Sequence, residues 1–133
     1  MMVQNAETGR AGNYYGYEMS SKIAQLLGAK LLGKNSNEAT LNDETVVLKS
    51  ARKKTSSIGV TPRMLERIKF IIVALENMDD SYDLYRIEID WFNSKKFLSH
   101  SKNANGTMLV LCKDIRKEGE KLASNILSFK NNS

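Results

Sequence analysis

Thr45-Val-Val-Leu-Lys49 constrains the fold more than any other stretch of this chain. Val46, Val47 and Leu48 are consecutive and apolar, and two of them are β-branched, so the run favours an extended backbone. Successive side chains of a strand point to opposite faces. A strand without a polar face therefore needs cover on both sides, as in a sheet with layers above and below it. Met108 to Cys112 repeats the pattern. Tyr82 to Ile89 alternates instead, with Asp83, Tyr85, Ile87 and Ile89 on one side and Tyr82, Leu84, Arg86 and Glu88 on the other. That is also a strand.

Helical spacing supplies the covering layers. Tyr14 to Lys30 carries Tyr17, Ile23, Leu26 and Leu27, with Leu31 just beyond, on three- and four-residue steps. Ala39–Leu41 and Thr45–Ser50 read as two short strands joined at Asn42-Asp43-Glu44, because Asn and Asp tolerate turn dihedrals. Thr61 followed by Pro62 has the signature of a helix start. Met64, Leu65, Ile68, Ile71, Ile72, Leu75 and Met78 then predict a long helix to about Met78. Asp90 to Ser101 reads as a short helix carrying Trp91, Phe92, Phe97 and Leu98. Asn105-Gly106 reads as a turn, and Asp114 as the cap of a last helix to about Phe129, with Ile115, Leu122, Ile126 and Leu127 inward. Gly119 weakens that helix by about 1 kcal/mol relative to Ala. The expected fold is α/β, bordering on α+β: a small mixed sheet flanked by helices. Residues 14–129 form one domain in this reading, with a flexible lead-in over 1–13 and a polar tail over 130–133.

Composition narrows the chemistry. The 133 residues carry 20 Lys and Arg against 15 Asp and Glu, a net charge of +5. That excess permits a phosphate-rich partner. No apolar stretch approaches membrane-spanning length, and the polar start shows no secretory signal. One cysteine, Cys112, cannot pair within the chain, which fits a reducing, cytoplasmic setting. Cys112 ends an apolar run and is expected to be buried. One histidine, His100, sits in a polar segment and reads as a surface residue. A Ser-His-Asp relay and a Cys-His zinc cluster are both out of reach. No Gly-rich phosphate or dinucleotide loop is present.

Carboxylate and lysine chemistry remains. Glu18, Glu38, Asp43, Glu44 and Lys49 gather in the first half of the chain. Converging carboxylates hold Mg²⁺ through oxygen ligands. A metal polarises a phosphoryl oxygen, and a lysine at a sheet margin can steady the phosphate. Spacing alone fits ordinary solvated charges better, since charged residues make up a quarter of the chain. Arg52, Lys53, Lys54, Arg63, Arg67 and Lys69 lie in or after the loop that follows Lys49, interleaved with Ser50, Thr55, Ser56 and Ser57, a mixture suited to phosphate contacts or to a solvated rim. A helix beginning at Thr61 would add free N–H groups. Lys95, Lys96 and Lys102 make a second basic group near Trp91 and Phe92.

Glu18 on a first helix, a hairpin ending in Thr45-Val-Val-Leu-Lys49, a following helix and the strand Tyr82–Ile89 resemble the restriction-endonuclease-like core of the PD-(D/E)xK nucleases. The stretch Lys49 to Thr61 is similar to the basic loop that follows the motif in several restriction enzymes. The resemblance covers roughly Tyr14 to Ile89 and implies a Mg²⁺-dependent DNA phosphodiesterase. It assigns Lys49 as the motif lysine, Glu38 as first metal ligand and Glu18 as the helix acid. Val47 stands where the motif carries its second acid, so Asp43 or Glu44 would have to substitute. Arg52, Lys53, Lys54, Ser56 and Arg63 would grip the nucleic-acid backbone, DNA first and RNA as a further option. Cutting two strands would call for a homodimer, with the Trp91 region as a candidate interface. The alternative is a catalytically degenerate module of the same fold that binds nucleic acid or a protein.

Overall fold

A computed structural model of the chain describes residues 2–33, 36–99 and 106–129, with the backbone alone over 2–13. The elements in order are helix α1 (Met2–Leu27), strands β1 (Lys30–Leu31), β2 (Glu38–Leu41), β3 (Glu44–Ala51) and β4 (Ser57–Val60), helix α2 (Pro62–Leu65), strands β5 (Phe70–Glu76) and β6 (Tyr82–Glu88), helix α3 (Ile89–Lys95), strands β7 (Phe97–Leu98) and β8 (Met108–Leu111), helix α4 (Cys112–Glu118) and strand β9 (Glu120–Ile126). The mixed α/β character follows the sequence expectation. His100, Lys102, Asn105 and the tail over 130–133 lie outside the described residues.

Six strands form the main sheet in the order β1-β2-β3-β5-β6-β9. The neighbours pair antiparallel, except β3 and β5, which run parallel with Val47 opposite Ile71 and Ala51 opposite Leu75. A smaller sheet, β4-β8-β7, is antiparallel throughout.

The double-sided burial demanded by Val46-Val47-Leu48 is met by two cores. Val47, Ala51, Ile71, Val73, Leu75, Tyr85 and Ile87 pack on Ile58, Val60, Phe92, Val110 and Ile115 of the smaller sheet and its helices. Val46, Leu48, Phe70, Ile72, Ala74 and Leu84 pack on Met19, Ile23 and Ala24 of α1. The helix buries a different stripe from the one its spacing suggests. Met19, Ser20, Ile23 and Ala24 are inward, while Leu26 is 50% exposed and Tyr17 37%. Ser20 tolerates burial by donating its hydroxyl to the Leu48 carbonyl, at 3.4 Å. α1 also starts at Met2, not Tyr14, so the backbone of the expected lead-in is helical.

Two expected helices are strands. The long helix after Thr61 is a single turn, Pro62–Leu65, and Phe70–Glu76 is the central strand β5. All six residues from Phe70 to Leu75 are buried because the strand is covered on both faces, and such a run carries no alternation to separate it from a buried helix. The last helix stops at Glu118, and β9 follows. At Gly119 a Cβ would lie 2.7 Å from the Ile115 carbonyl oxygen, so only glycine lets the chain turn there from helix to strand. Leu122 and Leu127, expected inward, are 39% and 68% exposed. Cys112 is buried, and Phe92 belongs to the core; Trp91 is half-buried, its indole N–H 3.5 Å from Glu118 Oε1.

Candidate functional site

The functional geometry begins where β2 stops short of β3. The β2–β3 hairpin turns on Asn42 and Asp43, whose φ angles of 51° and 65° are those of a tight two-residue turn. Glu38, the first residue of β2, stands opposite Val47. The Leu48 N–H still bonds to the Asn37 carbonyl at 2.7 Å, but Lys49 and Ser50 run on past the end of β2. α1 passes this edge with Tyr15, Gly16 and Tyr17. Together with Asn37, Leu48, Lys49 and Ser50 they line a cleft of ≈ 310 Å³.

Strand alternation places Lys49 on the same face as Val47 and Ala51, and hence as Glu38. Burial alone pushes the Lys49 ammonium below its ordinary 10.5, and no carboxylate acts on it. Its four-carbon stem gives the charge reach along the open strand edge. Arg52 leaves the end of β3 and lays its guanidinium over the Tyr15 ring, 4.2 Å from the centroid. The Tyr15 hydroxyl hydrogen-bonds the Tyr82 hydroxyl at 2.8 Å, and burial pushes the Tyr15 phenol up. The aromatic platform under Arg52 is thus fixed from behind.

The expected metal ligands do not gather. Glu18 faces Lys22 one turn along α1, at 3.6 Å. Glu38 is ion-paired with Arg67, from the bend between α2 and β5. Asp43 and Glu44 are exposed, Asp43 in the hairpin turn and Glu44 just after it. Val47 is fully buried where the motif carries an acid. Among the described residues no group of three His, Cys, Asp or Glu side chains could hold a metal ion.

The expected backbone-gripping residues divide. Arg52, Lys53, Lys54, Ser56 and Arg63 are all exposed. Lys53 is committed to structure: its N–H donates to Glu76 at 2.9 Å, and its ammonium pairs with Asp80. Lys54 and Arg63 make no ion pair among the described residues. α2 offers no free N-terminus to a phosphate, because Thr61 Oγ1 already accepts from the Met64 N–H at 3.2 Å. In the second basic group, Lys95 pairs with Glu118 at 3.1 Å and Lys96 donates to Asn93 at 3.0 Å.

Sequence spacing assigned Tyr17 to the core and gave Tyr15 no role. The clustering of Tyr14, Tyr15 and Tyr17 on one helix, ahead of the basic loop, was the available signal. Comparison of the chain with protein-family models and with curated proteins gives no match. No helix among the described residues is long and apolar enough to cross a membrane.

Proposed function

We propose that the chain is a nucleic-acid-binding module, related in its order of elements to the restriction-endonuclease-like core but lacking the carboxylate cluster of an active member. One observation carries this reading. At the open edge of β3, a cleft lined by Lys49, Ser50, Asn37 and two tyrosines of α1 has no carboxylate in its lining; Arg52 is stacked on Tyr15 at its rim, and the Lys49 side chain leaves the strand on the face opposite α1. A partly desolvated cation without a carboxylate partner attracts an anion, and cations mixed with small hydroxyls and amides suit phosphate oxygens. Lys54, Thr55 and Ser56 are exposed in the loop that follows, Thr55 and Ser56 beside Cys112 and Arg116. DNA is the favoured partner, in a cytoplasmic setting supported by the lone buried thiol of Cys112.

The test is retention of DNA oligonucleotides at low salt. Affinity falling steeply as salt rises supports the module. A flat response, or no retention, contradicts it.

Mg²⁺-dependent hydrolysis is the second reading, favoured by Glu38 and Lys49 standing on one sheet face two residues apart in register. Plasmid DNA incubated with Mg²⁺ or Mn²⁺ separates the two. Intact plasmid supports the binding module; nicking or linearisation supports the hydrolase and, in the linear case, a homodimer with paired sites.

A further inference from the structure

The smaller sheet turns one face to the core and leaves the other outside it. Ile58, Val60 and Val110 point inward, with Met108 packed beside them. Alternation therefore turns Ser57, Gly59, Leu109 and Leu111 outward. Phe97 of β7 pairs with Leu109 and shares that outer face. Phe97, Leu109 and Leu111 belong to neither core, and Phe97 is 39% exposed. Gly59 lies opposite Leu109, and the Leu109 and Thr107 side chains occupy its open side, 2.9 and 2.7 Å from where a Cβ would stand. The result is an apolar strip running about 7 Å along β8 and ~5 Å across to β7.

One end of the strip is polar. Leu111 also lines a cleft of ≈ 380 Å³, together with Thr55, Ser56, Cys112, Lys113 and Arg116, none of them a carboxylate. The Arg116 guanidinium is committed to the Asn77 side chain and the Glu76 carbonyl, each at 2.9 Å. Lys113 is exposed and makes no ion pair among the described residues. The cleft thus holds one unneutralised ammonium and two hydroxyls next to an apolar strip, at a volume usual for small-ligand sites. A second copy of the chain is a poor occupant. It would bring the same net charge of +5, and a face of three short strands is far smaller than the ~800 Å² per partner of a stable interface.

We infer that the cleft and strip together bind a small amphiphilic monoanion, an apolar chain ending in one carboxylate. Its head sits at Lys113, Thr55 and Ser56, and its chain lies over Leu111, Leu109 and Phe97. One free ammonium matches one negative charge, and the strip matches a chain that water expels. The site uses neither Lys49 nor Arg52, so it goes beyond the nucleic-acid reading and stands independently of it.

Isothermal titration calorimetry with octanoate as the probe tests the inference. Octanoate is expected to bind saturably at one site per chain. Acetate, which lacks the chain, and octyltrimethylammonium, which reverses the head charge, are each expected to bind at least about tenfold more weakly. Lys113→Met is expected to weaken octanoate about tenfold, and Lys113→Arg to restore it. Phe97→Ser is expected to weaken octanoate severalfold and to leave acetate unchanged. Both positions are exposed, and thermal melts of the variants control for folding. Octanoate binding that does not saturate, equal affinity for acetate or octyltrimethylammonium, or a Lys113→Met or Phe97→Ser variant that holds octanoate as well as wild type overturns the inference.

Discussion

Arg67 closes an ion pair on Glu38 and so ties the bend before β5 to the first residue of β2. The Glu38 carboxylate is largely enclosed, with its side chain 15% exposed, whereas Arg67 is 51% exposed. An acid that a metal site would need is therefore spent on a structural contact, on the same sheet face as Lys49.

Glu38→Gln removes that carboxylate and releases the Arg67 guanidinium. The pair is solvent-screened on the arginine side, so stability should change by no more than about 1 kcal/mol. Nucleic-acid affinity at low salt should rise severalfold, because one anion leaves the surface and one cation becomes free. A filter-binding titration without divalent ions checks this. Loss of a divalent-dependent activity in the same variant would instead mark Glu38 as a metal ligand.

Asp43 is a turn residue here. Its φ of 65° is a conformation glycine adopts freely, whereas a β-branched side chain there is strained. Asp43→Gly should match or exceed wild-type stability by up to about 1 kcal/mol, and Asp43→Val should lose a similar amount. Nucleic-acid binding should be unaffected by Asp43→Gly. Thermal melts with binding assays on both variants decide the matter, and a loss of function without loss of stability would give Asp43 a chemical role.

Asp83 anchors the last strand. It is 8% exposed and accepts hydrogen bonds from the Asn125 N–H and the Asn77 side chain, each at 2.9 Å. Lys121 and Arg116 lie 3.5 and 3.8 Å away. Desolvation raises the Asp83 pKa, but the bonds from Asn125 and Asn77 and the Lys121 charge outweigh it and hold the carboxyl below its ordinary 3.8. A depressed carboxyl stabilises the fold fully above its unfolded value and loses that contribution as pH falls through the folded one. Stability should therefore drop below about pH 4 in wild type and less in Asp83→Asn. Asp83→Ala should cost about 2 kcal/mol at neutral pH, with β9 amides exchanging fastest in hydrogen exchange.

Lys49 works the opposite way. Its folded pKa lies below the ordinary 10.5, so between the two values the unfolded chain binds more protons, and stability rises with pH across that interval. Lys49→Met removes a desolvated charge while keeping the stem volume. It should be at least as stable as wild type at neutral pH and should lack the alkaline gain, as denaturant midpoints measured from neutral to alkaline pH will report.

The hairpin was legible because its signals are local. Asn42-Asp43 marks the turn, and the apolar run beside it marks the strand. β6 was legible through its alternation. β5 was not, because a strand covered on both faces hides its period, and Ile68, Ile71, Ile72 and Leu75 also satisfy helical spacing. β9 was missed for the opposite reason. At the margin of the sheet it leaves Leu122 exposed, so its apolar residues do not report an inward face. Lys49 was legible as a cation ending a buried strand. The partners of Glu18 and Glu38 were not, since Arg67 reaches Glu38 only through the crossover from β3 to β5. Tyr15 and Tyr17 gained their places from the packing of α1 past the end of β2, which spacing within the helix does not encode.

The most direct measurement is the salt dependence of DNA binding, read on a single-stranded oligonucleotide, for wild type and for Lys49→Met, compared at equal folded fraction. A Lys49 that grips phosphate contributes about 0.7 to the slope of log affinity against log salt. Lys49→Met should bind more weakly and with a slope shallower by about that amount. Unchanged affinity and slope in Lys49→Met would contradict the placement of the nucleic-acid surface at the edge of β3.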